Sequence, residues 1–458
     1  MAVIYEDLLK GKQHVHFIGI GGSGMFPLAQ ILHDKGYFIT GSDNNETDTL
    51  ALVRGLGIPV HLGHDPKNIE GADLVVYTAA IMKDNPELLA AKASNATVIE
   101  RSVLLGVISR QYPNAVCICG THGKTTSTAM LTQLLLDCGA DPTAVIGGKL
   151  RSIGGNGRVG KSETFVCESC EYVDTFLKLS PDVSVVLNID RDHLEYFKNL
   201  ENIIRSFNAF NKMASKMVIV NGDDENSMRS LDGVTVPILT FGTKEGLDYT
   251  AENIAVERGV FYQYDLCHRG ETLCRIRLGV PGRHNVLNSL AVCVAALQCG
   301  VTPAQLEEHL PHFGGAGRRF EFLGEVNGFT VADDYAHHPA ELEATLKVAT
   351  QMGYNKVWAV FQPFTFSRTS ILLDDFARVL QIADRAVITA IMGAREINTY
   401  GIHAKDLADK VPGSVQLDTF PEVADYLLAH VEPGDLVLTL GCGDVYKIDK
   451  LLLGEKKN

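Results

Sequence analysis

The sequence lacks any apolar run long enough to cross a membrane, and residues 1–6 do not have the pattern of a signal peptide. It also lacks an excess of positive charge, since its formal net charge is −14 at pH 7. These absences argue against a membrane-spanning protein, and against nucleic acid or a lipid surface as the main partner. We therefore expect a cytoplasmic protein. As a separate expectation, we take it to be a monomer or a weak homodimer.

Short internal repeats, low-complexity segments and a double pair of zinc-binding cysteines are absent as well. The ten cysteines are scattered through apparent strands and helices, and in a reducing compartment we expect them to be small buried apolar residues. Cys167 and Cys170 have the spacing of a Cys-x-x-Cys motif, but no second pair lies at zinc-site distance from them. A zinc or redox site there has only this spacing in its favour.

What the sequence does contain is an alternation of strand and helix patterns, which predicts an α/β fold. Its 458 residues suggest about three domains. We place these domains at residues 1–110, 111–320 and 321–458. The predicted architecture is a Rossmann-like N-terminal domain, a central α/β domain with antiparallel edge hairpins, and a Rossmann-like C-terminal domain.

Local patterns predict further elements. The glycine-rich polar stretch at 151–160 predicts a loop, and a helical pattern covers residues 371–380. Alternating apolar residues at 249–280 predict hairpins that turn at residues 268–270. A short apolar strand is predicted at residues 37–40.

A phosphate-binding loop is predicted in the second domain. An apolar run at 115–119 predicts a buried strand, and a helical pattern follows at 126–138. Between them, backbone N–H groups and the positive end of the helix face a point that suits an anion. The predicted nucleotide-binding residues are Gly120, Thr121, His122, Gly123, Lys124, Thr125 and Thr126.

Within this loop, Lys124 can reach the outer phosphates and the Thr125 hydroxyl can bind a magnesium ion. The match to the P-loop pattern is incomplete, because Ile118 stands where that pattern has glycine. A helix cap with a chance Gly-Lys-Thr sequence is therefore the alternative.

A second glycine-rich turn lies near the N-terminus. It follows an apolar strand at residues 15–18 and opens a helix, and Asp43 follows at the distance of about 20 residues that dinucleotide-binding units show. The turn predicts a ligand with a diphosphate, either NAD or a nucleotide sugar, and the alternative is a turn that serves packing only. Its candidate binding residues are Gly19, Gly21, Gly22, Ser23 and Gly24.

Polar residues follow two predicted strands of the second domain. Glu168 follows a strand at 164–167, and His193 belongs to a polar run after a strand at 183–187. The carboxyl ends of parallel strands gather around a ligand, so both should lie near Lys124. Glu168 is a natural magnesium ligand, whereas His193 could equally be structural.

Three later motifs carry polar groups at the start of helices or in loops. Asn285 and Asn288 share one helix face, and helix capping is the first explanation for them. Arg319 lies in a glycine-rich basic stretch that could be a hinge delivering a guanidinium to phosphate, or a solvated loop. The dense polar run at 333–339 also has the spacing of a metal site.

Together these motifs resemble the Mur ligases, the cytoplasmic amide-forming enzymes of peptidoglycan synthesis. The resemblance covers essentially the whole chain, and the motifs follow the family's order. They are residues 16–25, 120–126, 188–193, 281–288, 317–320 and 333–339.

The resemblance implies ATP and Mg²⁺ as cofactors, and it implies that the central α/β domain is a P-loop-type ATPase domain. Lys124 and Thr125 would handle phosphate and magnesium, and Glu168 and His193 would hold magnesium. The residues implied to contact ATP or to complete its site when the C-terminal domain closes are Asn285, Asn288, Arg319 and Asp334.

For the other substrates, the resemblance implies that the N-terminal turn takes a UDP diphosphate rather than NAD. Tyr335, His337 and Arg368 would face the incoming amino acid. Family members commonly have histidine, often followed by arginine, after a Gln-Pro pair, whereas Phe364 and Thr365 stand here. This difference leaves the details of amino-acid recognition open.

The activity implied is the joining of L-alanine to the carboxylate of UDP-N-acetylmuramic acid through an acyl phosphate. A related ligase that attaches a preformed tripeptide to the same sugar nucleotide is the first alternative. An NAD-dependent oxidoreductase and a non-catalytic nucleotide-binding regulator are less well supported. The oxidoreductase leaves the Gly-Lys-Thr loop unexplained, and a regulator needs no phosphoryl-transfer residues.

We predict that Lys124→Ala folds but is nearly inactive, because phosphoryl transfer depends on positioned positive charge. Losing one such group should lower turnover by on the order of 10²–10³. Phosphate release from ATP measures the effect, and near-normal turnover would contradict the role assigned to Lys124.

Overall fold

The computed structural model describes residues 8–394 and 396–454, apart from the side chains of Glu195 and Arg258. The prediction for residues 1–6 lies outside this range. None of the helices within it combines the length and apolar character needed to cross a membrane.

The chain forms two compact units. The first comprises the described residues up to Ile254 with Tyr264–Ile276 and Asn285–Phe313, and the second comprises Ala255–Gln263, Arg277–His284 and the described residues from Gly314 onward.

A parallel sheet in the order β3-β2-β1-β4-β5 forms the N-terminal part of the first unit. The strand order reverses between β1 and β4, which is where doubly wound sheets bind ligands. A 3₁₀ helix, Pro66–Ile69, precedes β4. The elements are β1 (His14–Ile18), α1 (Phe26–Asp34), β2 (Phe38–Asp43), α2 (Asp48–Gly55), β3 (Val60–Leu62), β4 (Leu74–Tyr77), α3 (Pro86–Ala93), β5 (Thr97–Glu100) and α4 (Arg101–Ser109).

The second sheet has the order β15-β14-β13-β12-β11-β10-β6-β9-β7-β8. Its strand β6 lies between β10 and β9 and is parallel to both. The elements are β6 (Asn114–Cys119), α5 (Lys124–Asp137), β7 (Thr143–Leu150), β8 (Gly155–Arg158), β9 (Thr164–Glu168), β10 (Val183–Val186), α6 (Leu194–Phe197), α7 (Leu200–Asn211), β11 (Met217–Asn221), α8 (Glu225–Arg229), β12 (Ile238–Gly242), β13 (Tyr249–Arg258), β14 (Phe261–His268), β15 (Glu271–Pro281), α9 (His284–Gln298) and α10 (Pro303–His309). The 3₁₀ helices are Arg151–Ile153, Tyr172–Lys178 and Leu310–His312.

The third sheet belongs to the second unit and has the order β16-β17-β21-β18-β19-β20. Only its edge strand β16 is paired in antiparallel fashion among the described pairs of this sheet. The elements are β16 (Glu321–Val326), β17 (Phe329–Asp334), α11 (Pro339–Thr350), β18 (Val357–Phe361), α12 (Phe366–Ile371), α13 (Leu373–Leu380), β19 (Arg385–Ile388), α14 (Ala404–Ala408), β20 (Val415–Gln416), α15 (Phe420–His430), β21 (Leu436–Leu440) and α16 (Lys447–Leu452).

The predicted α/β fold class is confirmed, with an N-terminal parallel sheet, a larger central sheet and a mixed C-terminal sheet. The turn between β14 and β15 lies where the sequence predicts it. The domain boundaries at residues 110 and 320 stay a prediction.

The predicted loop at 151–160 is wrong, because β8 forms within it and pairs in antiparallel fashion with β7. Glycine lets this strand approach helix α1 closely: a Cβ at Gly157 would lie 2.6 Å from Cβ of Pro27, and one at Gly155 would lie 3.6 Å from the ring of Phe26. The strand β8 therefore depends on packing against a distant segment of the chain, which the local glycine content cannot indicate.

Two predicted element boundaries also differ. The helix expected at 371–380 begins earlier, as α12, and is interrupted at Leu372 before α13. The strand expected at 37–40 continues to Asp43, so that this carboxylate ends β2 and lies beside the turn after β1.

Six cysteines are buried as expected, whereas Cys138, Cys170, Cys299 and Cys442 are partly exposed. Cys117 on β6 lies opposite Cys167 on β9. Burial raises the pKa of Cys119, and a hydrogen bond between the Cys117 and Cys167 side chains, together with burial, raises that of Cys167.

We predict that Gly106→Ala destabilises the first unit. A Cβ at Gly106 in α4 would lie 2.1 Å from the backbone oxygen of Lys178, which cannot move aside as a flexible side chain could. A cost of about 1–3 kcal/mol should lower the Tm, measured by scanning calorimetry, by roughly 2–10 °C.

The matched control is Gly55→Ala at the end of α2, where a Cβ would meet nothing within 4 Å. This variant should keep or slightly raise the Tm, since alanine favours a helix more than glycine does. Equal Tm values for the two variants would contradict the packing described for Gly106.

Candidate functional site

The loop between β6 and α5 adopts a conformation that depends on glycine. Gly123, directly before α5, has φ 84°, and Gly120 has φ 146°. A Cβ at Gly123 would also lie 2.5 Å from Oδ1 of Asn288. Since the loop leads directly into the N-terminus of a 14-residue helix, its amides and the helix dipole favour an anion here.

Residues that follow β10 hold this loop in place. The His122 amide donates to Oδ1 of Asn188 at 2.8 Å, and Nδ2 of Asn188 donates to the His122 carbonyl at 3.0 Å. The Thr121 hydroxyl accepts from the Asp190 amide at 2.8 Å. Asn188 therefore buttresses the loop, a role that its place in a polar run after a strand could have indicated.

Lys124 lies folded against its own loop. Its Nζ donates to the Gly120 and Thr121 carbonyls and forms an ion pair of 2.9 Å with Glu171. Burial lowers the pKa of Lys124, but the Glu171 carboxylate and other nearby acidic groups outweigh burial and raise it overall. The ammonium therefore stays charged. Sequence reasoning missed Glu171, although it lies only three positions after Glu168.

Glu168 and Thr125 lie side by side, as predicted from the convergence of strand ends. The Thr125 hydroxyl donates to Oε1 of Glu168 at 3.0 Å, and the Gly147 amide donates to Oε2 at 2.7 Å. A Cβ at Gly147 would lie 2.4 Å from this carboxylate, so a larger residue there would displace the Glu168 side chain. The hydroxyl and carboxylate oxygens are donors that suit Mg²⁺.

His193 directly precedes α6 and has φ 52°, and its ring centre lies 4.5 Å from that of Tyr172. Tyr172 directly follows Glu171, the partner of Lys124. The next residues, Val173 and Asp174, have φ values of 54° and 55°, which are strained for residues other than glycine. The strained residues therefore follow directly after Tyr172, which links the partner of Lys124 to His193.

No group of three or more His, Cys, Asp or Glu side chains within 8–394 and 396–454 is arranged to hold a metal ion. The metal alternatives at Cys167 and Cys170 and at residues 333–339 therefore receive no support. The pair of Thr125 and Glu168 could hold Mg²⁺ only together with ligand or water oxygens, which is how proteins commonly bind this ion.

Asn285 and Asn288 lie in the first turns of α9 and are both buried. Nδ2 of Asn288 donates to Oδ1 of Asn285 at 3.0 Å. Asn288 contacts Gly123, the residue directly before Lys124, so the pair lies against the phosphate loop. These asparagines and the loop lie about 160 residues apart in the sequence, and the structure brings them together.

The turn after β1 is held by the end of β2. The amides of Gly19 and Ile20 donate to the Ser42 carbonyl at 2.8 and 3.0 Å, and the Gly21 amide donates to Oδ2 of Asp43 at 2.9 Å. Gly19 has φ 84°. One oxygen of Asp43 thus supports the turn itself.

Arg101 is a residue at this turn that sequence reasoning missed. It begins α4, directly after β5, and a Cβ at Gly24 would lie 3.1 Å from its Nε. The guanidinium therefore lies over the last glycine of the turn.

Further hydrogen bonds hold the rest of this turn. The Gly22 amide donates to the Gly19 carbonyl at 3.1 Å, and the Ser23 carbonyl accepts from Nδ2 of Asn156.

In the second unit, the two arginines of the basic stretch have different environments. Nε of Arg318 donates to Asp333 at 2.7 Å, and its other nitrogens donate to the carbonyls of Gly441 and Gly443. Arg318 is thus fixed between strand ends, which is not what a flexible stretch predicts. The Arg319 guanidinium lies 4.9 Å from the ring centre of Tyr335.

Asp334 is buried at the end of β17. Its carboxylate accepts hydrogen bonds from the amides of Phe320 at 2.8 Å and Ala336 at 2.7 Å. Burial raises the pKa of Asp334 to about 6, although Arg319 and the two amides act in the opposite direction. The carboxylate thus ties the basic stretch to the segment after β17.

The candidate amino-acid residues lie together in this unit. Nδ1 of His337 lies 3.0 Å from the Tyr335 carbonyl, and its ring centre lies 6.5 Å from that of Phe364. Burial lowers the pKa of His337, and the nearby Arg368 lowers it further. Thr365, with φ 64°, caps α12 by accepting from the Arg368 amide. Phe364 therefore lies beside His337 in this group.

Family models match most of the chain. The Mur ligase family catalytic domain matches residues 14–113, the Mur ligase middle domain matches 118–296, and the Mur ligase glutamate ligase domain matches 318–443. The phosphate loop lies within the second of these ranges. The chain belongs to the Mur ligase family.

Among curated relatives, UDP-N-acetylmuramate–L-alanine ligase of Acetivibrio thermocellus is 42% identical over 452 residues, covering 97% of this chain and 96% of the relative. The corresponding ligase of Lachnospira eligens is 43% identical over 458 residues, covering 98% and 100%.

Solved structures agree in fold. UDP-N-acetylmuramate–alanine ligase of Thermotoga maritima superimposes with a TM-score of 0.83 at 28% identity, covering 96% of this chain and 98% of that one. A murein peptide ligase of Psychrobacter arcticus has a TM-score of 0.76 at 24% identity, with the same coverage of both chains. The latter similarity shows the fold alone.

We predict that Asp334→Asn changes how the stability of the second unit depends on pH. In the folded chain Asp334 has a pKa of about 6, against about 3.9 when unfolded, so between these values the folded chain binds more protons. Stability from this group therefore falls as pH rises through that range. The unfolding free energy of the unmodified protein minus that of the variant should fall by on the order of 2–3 kcal/mol from pH 4 to pH 7.

The sequence contains one tryptophan, Trp358, which is buried in β18 of the same unit. Its fluorescence during urea unfolding can therefore report on this unit alone. Parallel pH dependences for the two proteins would show that the Asp334 proton is not linked to folding.

Proposed function

We propose that this protein joins L-alanine to the carboxylate of UDP-N-acetylmuramic acid, using ATP, in the synthesis of peptidoglycan precursors. The observation that carries the proposal is the loop after β6, where Lys124 lies beside Glu171 and Thr125 lies beside Glu168. The chain that contains this loop is 42% identical, nearly end to end, to a relative named for that activity. We expect the protein to act in the cytoplasm, as a monomer or a weak homodimer.

The phosphate loop would bind ATP. Its amides and the start of α5 would receive phosphate oxygens, and Lys124 would leave one or both loop carbonyls to contact the outer phosphates. Asn285 and Asn288, which lie against Gly123, would contact the rest of the nucleotide. Asn188 supports this assignment, since its two side-chain hydrogen bonds to His122 hold the loop in one conformation.

Thr125 and Glu168 would hold Mg²⁺, with His193 as a further candidate. When bound, the ion would neutralise charge that develops on the transferred phosphoryl group. The amide of Gly147 fixes one oxygen of Glu168, so that the other, which accepts from Thr125, faces the loop.

The turn after β1 would bind the UDP diphosphate through its amides, with Gly22, Ser23 and Gly24 nearest the helix start. Arg101 over Gly24 would add a positive charge. In the second unit, Tyr335, His337 and Arg368 would face the amino acid, and Arg319 and Asp334 would serve the nucleotide. Phe364 would replace a polar contact in that region with an aromatic one.

In the proposed reaction, a carboxylate oxygen of the sugar nucleotide attacks the γ-phosphorus of ATP, which forms an acyl phosphate and releases ADP. The neutral amine of L-alanine then attacks the acyl carbon. The tetrahedral intermediate loses phosphate and a proton to leave the amide. Lys124 contributes by positioning and by charge, which is what a phosphoryl transfer requires of the protein.

The tripeptide-attaching ligase is the nearest alternative, because a murein peptide ligase shares the fold. The higher identity and TM-score of the L-alanine ligase structure favour L-alanine. Membership in a ligase family counts against an oxidoreductase, and the Lys124 and Glu168 arrangement counts against a regulator that only binds nucleotide.

We predict that the protein releases phosphate when UDP-N-acetylmuramic acid, ATP, Mg²⁺ and L-alanine are all present, with lower activity on glycine or L-serine. Each reaction should omit one component in turn, and the Lys124→Ala variant serves as the background control. Release with the tripeptide alone would select the tripeptide ligase, reduction of NAD would select an oxidoreductase, and nucleotide binding without turnover would select a regulator.

A further inference from the structure

A glutamate side chain is completely buried beneath the N-terminal glycine turn. Glu87, in the first turn of α3, has no exposed surface. Its Oε1 lies 2.8 Å from Nε2 of His16, and its Oε2 lies 2.6 Å from Nδ1 of His64. Oε2 also accepts from the Ser42 hydroxyl at 2.5 Å. Groups from β1, β2 and the segment after β3 thus converge on a single carboxylate.

The carboxylate is charged in spite of its burial. Burial raises the pKa of Glu87, but hydrogen bonds from His16, Ser42 and His64 outweigh it, so that the net pKa is lowered. A buried charge is tolerated only where it is paired and hydrogen-bonded, and here all three donors come from other elements. Each donor is consequently held in one orientation.

One of these donors supports the glycine turn directly. The Ser42 carbonyl accepts from the amides of Gly19 and Ile20, while the Ser42 hydroxyl binds Glu87. The next residue, Asp43, accepts from the Gly21 amide. The position of the turn is therefore set by residues 42 and 43, and residue 42 is held by Glu87.

The same network also holds the strand that leads into the turn. Nδ1 of His16 on β1 lies 2.8 Å from the Thr40 hydroxyl on β2, and the His14 ring approaches the same hydroxyl at 2.8 Å. Because Nε2 of His16 also contacts Glu87, hydrogen bonds connect β1, β2 and α3. No catalytic step proposed above uses any of these groups.

We propose that Glu87 is a positioning residue for the sugar nucleotide: it holds β1, β2 and the segment after β3 so that the amides of the glycine turn meet the UDP diphosphate. The inference rests on the proposed function of that turn. Glu87 does not touch the ligand itself, and its effect passes through Ser42 to Gly19 and Ile20.

The test is the affinity of Glu87→Gln for UDP-N-acetylmuramic acid and, separately, for ATP, by isothermal calorimetry on the full chain. Glutamine keeps the shape but removes the charge and turns one acceptor into a donor that faces the same donors. We expect affinity for the sugar nucleotide to fall by roughly 10- to 100-fold, because small displacements of a binding turn are costly. Affinity for ATP should stay within about two-fold, since its proposed site lies on another sheet.

The matched control is Glu70→Gln, the same change at an exposed position of the same domain. It should leave both affinities unchanged. Ser42→Ala provides a second variant in case Glu87→Gln does not fold: it removes one donor, keeps the carbonyl, and should weaken sugar-nucleotide binding selectively by a smaller factor.

Three results would overturn the inference. One is a folded Glu87→Gln variant that binds the sugar nucleotide as the unmodified protein does. Another is equal weakening for both ligands, which would indicate a general loss of structure. If the unmodified protein does not bind UDP-N-acetylmuramic acid at all, the proposed function fails, and this inference fails with it.

Discussion

The ion pair between Lys124 and Glu171 lies beneath the loop after β6, with both side chains largely removed from solvent. A buried ammonium is stable only beside a compensating charge, so the position of the loop and that of the segment after β9 depend on each other. The strained backbone at Val173 and Asp174 follows directly, and Tyr172 carries the connection to His193. Much of the first unit's chemistry is therefore organised around one pair of opposite charges.

The same building principle occurs twice in the first unit. In each case a glycine turn follows one strand and is held by polar groups at the end of a neighbouring parallel strand. Asn188 after β10 does this for the phosphate loop, and Ser42 and Asp43 at the end of β2 do it for the N-terminal turn. Adjacent parallel strands end at the same edge, so such support is available wherever a turn must be kept open for a ligand.

Sequence reasoning reached those parts of the site that depend on local pattern. Lys124, Thr125 and Glu168 could be brought together because strand, turn and helix are readable and parallel strands end at one edge. Glu171, Asn188, Gly147 and Glu87 could not be assigned, because their roles arise from contacts between distant segments. For the same reason β8 was missed and the fixed position of Arg318 was not foreseen, since packing on α1 decides the first feature and hydrogen bonds to Gly441 and Gly443 decide the second.

The buried cysteines of β6 and β9 flank the phosphate loop and have a practical consequence. The thiols of Cys119 and Cys167 are enclosed and their pKa values are raised, so an alkylating reagent cannot modify them while the sheet is intact. The speed of labelling at these positions would consequently record how often the middle of the central sheet opens. These cysteines can therefore serve as a built-in probe of local unfolding of the strands that lead into the phosphate loop.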